Sequence, residues 1–114
     1  MSRIKEISVS ELSQLIESKN DFKLIDIRTP VEIKRGVIPG AKTLPMHLVP
    51  LNLNYFSTTQ ERVVVYCRTG SRSAQVCRFL DKQGLTNACS LRGGVVKWAL
   101  SGLGMDSETP EAIA

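Results

Sequence analysis

The sequence predicts an α/β fold, an open and mostly parallel sheet with helices packed on it. Two observations predict it. Short apolar runs rich in β-branched residues alternate with longer stretches whose apolar residues recur at helical spacing. That alternation is the signature of a mostly parallel sheet. The chain also carries no internal repeat or low-complexity segment that would point to another architecture.

The elements follow in order. Ser8-Val9-Ser10-Glu11 fits a capping box, and Leu12, Leu15 and Ile16 continue it at helical spacing to about Lys19. Asn20-Asp21 is a turn, and Phe22 to Ile27 is a short buried strand ending on the charged pair Asp26 and Arg28. Pro30 opens a helical turn through Lys34. Gly36 and Pro39-Gly40 punctuate the approach to a short strand over Ala41–Leu44. Pro45 to Thr59 reads as a loop with a helical turn or two. Val63–Tyr66 is a strand by its β-branched content and brevity. Ser71 to Gln83 is helical, with Ala74, Cys77 and Leu80 inward, Val76 and Phe79 widening the stripe, and Gly84 as the C′ residue. Ala88–Leu91 is a further strand, Gly93-Gly94 a tight turn, and Val95–Leu100 a last helix carrying Trp98.

A length of 114 residues gives one domain with one core. The domain is expected over residues 1–105, followed by a loose acidic tail over residues 106–114. Hydrophobic and charged fractions of 42% and 23% are those of an ordinary soluble protein. No run approaches the roughly 20 apolar residues of a membrane span. The segment Met1 to Glu6 lacks the apolar core of a secretory signal, so a cytoplasmic protein is expected. The formal charge is +4, but basic residues are spread along the chain, so neither a nucleic-acid arm nor a membrane-binding face is expected.

Three cysteines are too few for a disulfide scaffold. Cys77 and Cys89 read as small core residues. Cys67 differs, because it stands at the mouth of the most apolar strand and opens Cys67-Arg68-Thr69-Gly70-Ser71-Arg72 at the start of a helix. In a parallel α/β sheet, ligands gather at the carboxyl ends of strands, where Cys67 and Asp26 both fall. Inward-facing amides of residues 68 to 72 and the helix dipole can stabilise a thiolate or any anion bound to it. Gly70 permits the turn. Arg68 and Arg72 offer planar forks to an anionic ligand or leaving group, Arg72 the more so because it closes the loop; a surface ion pair is the alternative for each.

Four residues stand between Cys67 and Arg72. A cysteine phosphatase loop has five, and the matching position here is Ser73. The shorter loop suits one extra sulfur atom better than a phosphoryl group.

Cys67 to Arg72, followed by Ser73, resembles the active-site loop of rhodanese-type sulfurtransferases. The resemblance runs in family order from about Ile4 to Met105. It includes Leu24-Ile25-Asp26-Ile27-Arg28 with Glu32, Gly36-Val37-Ile38-Pro39-Gly40-Ala41, Leu44-Pro45, and Leu91-Arg92-Gly93-Gly94 with Trp98. It implies a rhodanese-like fold, a central five-stranded mostly parallel sheet flanked by helices on both faces. It implies catalysis at Cys67, donor binding by Arg68, Thr69, Gly70, Ser71 and Arg72, and support from Asp26, Arg28 and Ser73.

The implied donor is small and anionic, thiosulfate or a low-molecular-weight persulfide. The implied acceptor is a thiol or cyanide, and a protein sulfur relay is also open to such a domain. No metal or cofactor is required, because donors and positive potential suffice for an anionic persulfide. One departure stands out. The family often has histidine after Gly36, where this chain has Val37, and the lone histidine, His47, reads as a solvated loop residue. An arsenate reductase or phosphatase, and a binding or sensor module that never turns over free substrate, are the competing readings.

Overall fold

The computed structural model describes residues 4–58, 60–107 and 110–114. It contains β1 (Glu6–Ile7), α1 (Val9–Glu17), β2 (Phe22–Asp26), α2 (Pro30–Ile33), β3 (Lys42–Thr43), a 3-10 segment (Met46–Leu51), α3 (Leu53–Ser57), β4 (Arg62–Tyr66), α4 (Ser71–Lys82), β5 (Ala88–Leu91) and α5 (Gly94–Leu100). The five strands form one sheet in the order β1-β5-β4-β2-β3, and every pair is parallel.

Local chemistry starts the helices where the sequence predicts. The Ser8 hydroxyl accepts the Glu11 amide at 3.0 Å while the Glu11 carboxylate accepts the Ser8 amide at 3.0 Å, which closes the capping box of α1. A second box of this type, Thr29 with Glu32, starts α2 ahead of Pro30. Sequence reading assigned that start to the proline alone.

From Val63 to Tyr66 the central strand is apolar and buried because both of its faces are covered. Val64 and Tyr66 pack with Leu12, Leu24, Leu91, Val95 and Trp98 on one side. Val63, Val65 and Cys67 pack with Ile25, Ile27, Phe56, Val76 and Leu80 on the other. The Cys67 side chain therefore points toward α4, and α5 lies across the sheet from it. Asp26 and Tyr66 are register partners, so β2 and β4 end side by side and deliver Cys67 and Arg28 to the same edge.

Two elements depart from expectation. β1 was not foreseen, since two residues paired with β5 leave no periodic pattern. The segment after Pro45 carries the helical turns expected of it, the 3-10 turn and α3 covering its described part; Thr59 lies outside the described residues. The acidic tail, expected to be loose, is tied down at two points. Asp106 exchanges backbone hydrogen bonds with Val37 at 2.7 and 2.8 Å. Thr43 donates its amide to Glu111 at 2.9 Å and accepts that of Ile113 at 2.8 Å. Thr43 belongs to an edge strand whose outer backbone groups need partners, and any sequence can supply them. Residues 1–3, 108 and 109 lie outside the described residues. Among the described residues no helix is long and apolar enough to cross a membrane.

Candidate active site

Gly70 is the N-cap of α4, so the first-turn amides of that helix have no intrahelical acceptor. They turn onto the sulfur. Cys67 Sγ accepts the Gly70 amide at 3.1 Å and the Ser73 amide at 3.4 Å, and lies 3.6 Å from the Ser73 hydroxyl. Gly70 adopts φ 108°, a conformation that disfavours any side chain, which brings its N–H round to the sulfur. The expectation had drawn the donors from residues 68 to 72. Ser73, one residue further, supplies both an amide and a hydroxyl.

Burial pushes the Cys67 thiol up. The Ser73 amide and hydroxyl, with the amides of Gly70 and Thr69, more than offset it, so the thiol lies below its ordinary value. The other two cysteines show what burial does where no such donors offset it. Cys77 is pushed up to about 12, and Cys89 is also raised. Both are buried in the core, and all three cysteines are free.

Behind Ser73 stands a residue that sequence reading missed. Ser90 on β5 is 1% exposed, and its hydroxyl lies 2.6 Å from that of Ser73. Ser73 also reaches the Gly70 carbonyl at 3.2 Å. Either hydroxyl can donate to the other; in the arrangement where Ser90 donates, the Ser73 proton can leave the Gly70 carbonyl for the sulfur once the thiol ionises. The fraction of Cys67 ionised at neutral pH should accordingly fall about two- to tenfold in Ser90→Ala, the range of one neutral hydrogen bond. A thiolate absorbance titration measures it, and an unchanged midpoint would leave Ser90 a packing residue.

Arg72 closes the loop but does not face the sulfur. Its two terminal nitrogens meet Glu32 Oε1 at 2.8 Å and Oε2 at 2.7 Å, a bidentate pair whose side chains are 32% and 24% exposed. Hydrogen bonds from Arg72 lower the Glu32 carboxyl to about 2. The pair bridges α4 and α2 across the mouth of the site. A cleft of about 450 Å³ opens beside Arg72, walled by Pro30, Pro45, Met46 and the exposed His47. A second, of about 240 Å³, opens beside Arg68, Arg35 and Val95. Arg68, Thr69 and Ser71 are exposed at the rim, whereas Cys67 itself is fully buried beneath them.

Asp26 and Arg28 form a buried unit under the loop, 0% and 4% exposed. Arg28 Nε lies 3.0 Å from both Asp26 carboxylate oxygens, and NH2 reaches Oδ2 at 2.7 Å and the Gly36 carbonyl at 2.6 Å. The Tyr66 hydroxyl accepts the Ile38 amide at 3.1 Å, and burial together with the nearby Asp26 carboxylate pushes its phenol up. Together these bonds pin the Gly36–Ile38 stretch against β2 and β4, at the place where the family often carries the histidine that is Val37 here. Among the described residues no group of three or more His, Cys, Asp or Glu side chains could hold a metal ion.

The family model for the rhodanese-like domain matches residues 8–101. The chain is 45% identical over 100 residues to the sulfurtransferase of Allochromatium vinosum, covering 88% of this chain and 92% of that protein. A solved structure of a Staphylococcus saprophyticus protein is 40% identical, with a TM-score of 0.77, and the match covers 89% of this chain and 99% of that one. The rhodanese-like domain protein of Staphylococcus aureus is 33% identical, with a TM-score of 0.81, over 93% and 100% of the two chains.

Proposed function

The chain belongs to the rhodanese-like domain family, and from that premise we propose that it is a sulfurtransferase carrying a sulfane sulfur on Cys67. The observation that carries the reading is the buried Cys67 sulfur held by the Gly70 and Ser73 amides at 3.1 and 3.4 Å. Groups that stabilise a thiolate there also stabilise the anionic terminal sulfur of a persulfide.

In the first step the Cys67 thiolate attacks the outer sulfur of thiosulfate or a small persulfide. A new S–S bond forms, the donor's S–S bond breaks, and sulfite or a thiolate leaves with the electron pair. In the second step cyanide or a thiolate attacks the outer sulfur of the Cys67 persulfide, and Cys67 leaves as thiolate. Charge and electron count balance without a cofactor, and one transfer becomes two displacements. Arg68 at the rim, with the first turn of α4, supplies positive potential for the anionic donor and leaving group, while Arg72, its fork on Glu32, braces the mouth of the site. Thr69, Gly70 and Ser71 shape the cradle, Ser73 donates into it, and Asp26 and Arg28 hold the sheet edge beneath.

Intact-mass measurement after thiosulfate treatment tests this reading. A gain of about one sulfur atom, mapping to Cys67 and removed by cyanide, is the expected result. No adduct from thiosulfate or from a small persulfide would overturn the reading of a free enzyme. An adduct formed only from a protein persulfide would move it to a relay.

A further inference from the structure

Across the sheet from the Cys67 side chain, α5 makes a contact with the loop that no side chain mediates. Its amides donate to the backbone of the loop, Val95 N–H to the Cys67 carbonyl at 3.0 Å and Val96 N–H to the Arg68 carbonyl at 3.0 Å. Backbone can approach backbone this closely only because residue 94 is glycine. A Cβ there would collide with the Arg68 carbonyl oxygen, and would stand 2.5 Å from the Arg68 carbonyl carbon and 2.6 Å from the Cys67 carbonyl oxygen. Gly94 is also at φ 58°, where a side chain is strained in any case.

The contact has a consequence on the far side of each peptide. A trans peptide is planar, so its C=O and N–H point in opposite directions. Drawing the Arg68 carbonyl toward Val96 aims the Thr69 N–H away from α5, and the Thr69 amide is one of the groups that act on the Cys67 sulfur. The Cys67 carbonyl, held by Val95, turns the Arg68 N–H in the same sense.

We infer that Gly94 is a positioning residue, whose missing side chain lets the first amides of α5 clamp the Cys67 and Arg68 carbonyls and so aim the loop amides at the sulfur. The inference builds on the reading of Cys67 as the reactive group, but its test does not require sulfur transfer.

The test is a titration of thiolate ultraviolet absorbance with the Cys67→Ser chain as blank. In Gly94→Ala the fraction of Cys67 ionised at neutral pH should fall roughly tenfold or more, the scale of one hydrogen bond to a charged group. Gly102→Ala is the control, since Gly102 has φ 77° and open space around it, and should leave the titration unchanged. Val95→Pro is the second variant. Proline is accepted in the first turn of a helix, so it removes chiefly the bond to the Cys67 carbonyl.

A folded Gly94→Ala or Val95→Pro chain with the unaltered titration would overturn the inference. Should both chains unfold, amide exchange of Val95 and Val96 in the unaltered protein decides. Core-like protection upholds the clamp, and exchange at the rate of an exposed turn removes it. A shifted titration in Gly94→Ala, together with no persulfide on Cys67 in the unaltered protein, would retire sulfur transfer and leave the positioning role standing.

Discussion

Replacing Cys67 by serine is expected to lower thiocyanate formation from thiosulfate and cyanide by roughly a thousandfold or more, because the covalent step has no other nucleophile. Serine is the informative choice. Cys67 is fully buried and accepts amides from Gly70 and Ser73. Alanine would leave those donors facing a void, at about 1–3 kcal/mol for each unsatisfied group. A serine oxygen can still accept from them, so the variant should keep the far-ultraviolet circular dichroism of the parent. Its hydroxyl, with no base placed beside it, stays protonated at neutral pH and cannot take up the sulfane sulfur. Stopped turnover in a folded Cys67→Ser chain is the expected pair of results. Sustained turnover would mean that the chemistry lies elsewhere.

The second large effect is on stability. Asp26→Ala is expected to destabilise the fold by about 3–5 kcal/mol, because it strands the Arg28 guanidinium in the core. Arg28 is 4% exposed, and without Asp26 it keeps only the Gly36 and Glu32 carbonyls at 2.6 and 3.4 Å and the Tyr66 ring, none of which carries a negative charge. A domain of this size has about 5–15 kcal/mol to lose, so denaturant midpoints should fall far enough to read easily. The double variant Asp26→Leu with Arg28→Met should recover much of the loss, since it removes both charges and leaves apolar volume. A single variant as stable as the parent would show that the pair does not hold the sheet edge together. The effect on activity should follow from folded fraction alone, since neither side chain contacts Sγ.

What could be read from the chain was what neighbours in sequence decide. The α1 capping box needs only Ser8 and Glu11, three positions apart. The strand Val63–Tyr66 declares itself by four adjacent side chains, and the short loop by counting from Cys67 to Arg72. Residues whose partners lie far along the chain left no such mark. Arg72 and Glu32 are 40 positions apart, and Arg72 read as a donor-binding residue before its fork was seen on Glu32. Ser90 is one small polar residue in a short strand, and only the pairing of β4 with β5 sets it behind Ser73. The anchoring of the tail left no mark in the sequence because its pairing with Thr43 is made through backbone, which composition does not encode.

The sequence by itself determined that Cys67 sits at the end of a buried strand, opens a six-residue loop and precedes a helix, because strand, turn and helix each follow from local pattern. The tertiary structure decided how that sulfur is held. Parallel pairing brings β5 beside β4, and this sets Ser90 behind the loop and the Gly93-Gly94 turn beneath it. The amides of α5 then grip the carbonyls of Cys67 and Arg68. Hydrogen-bond direction is a property of peptides brought together in space, and the linear order of residues contains no term for it until the sheet has formed.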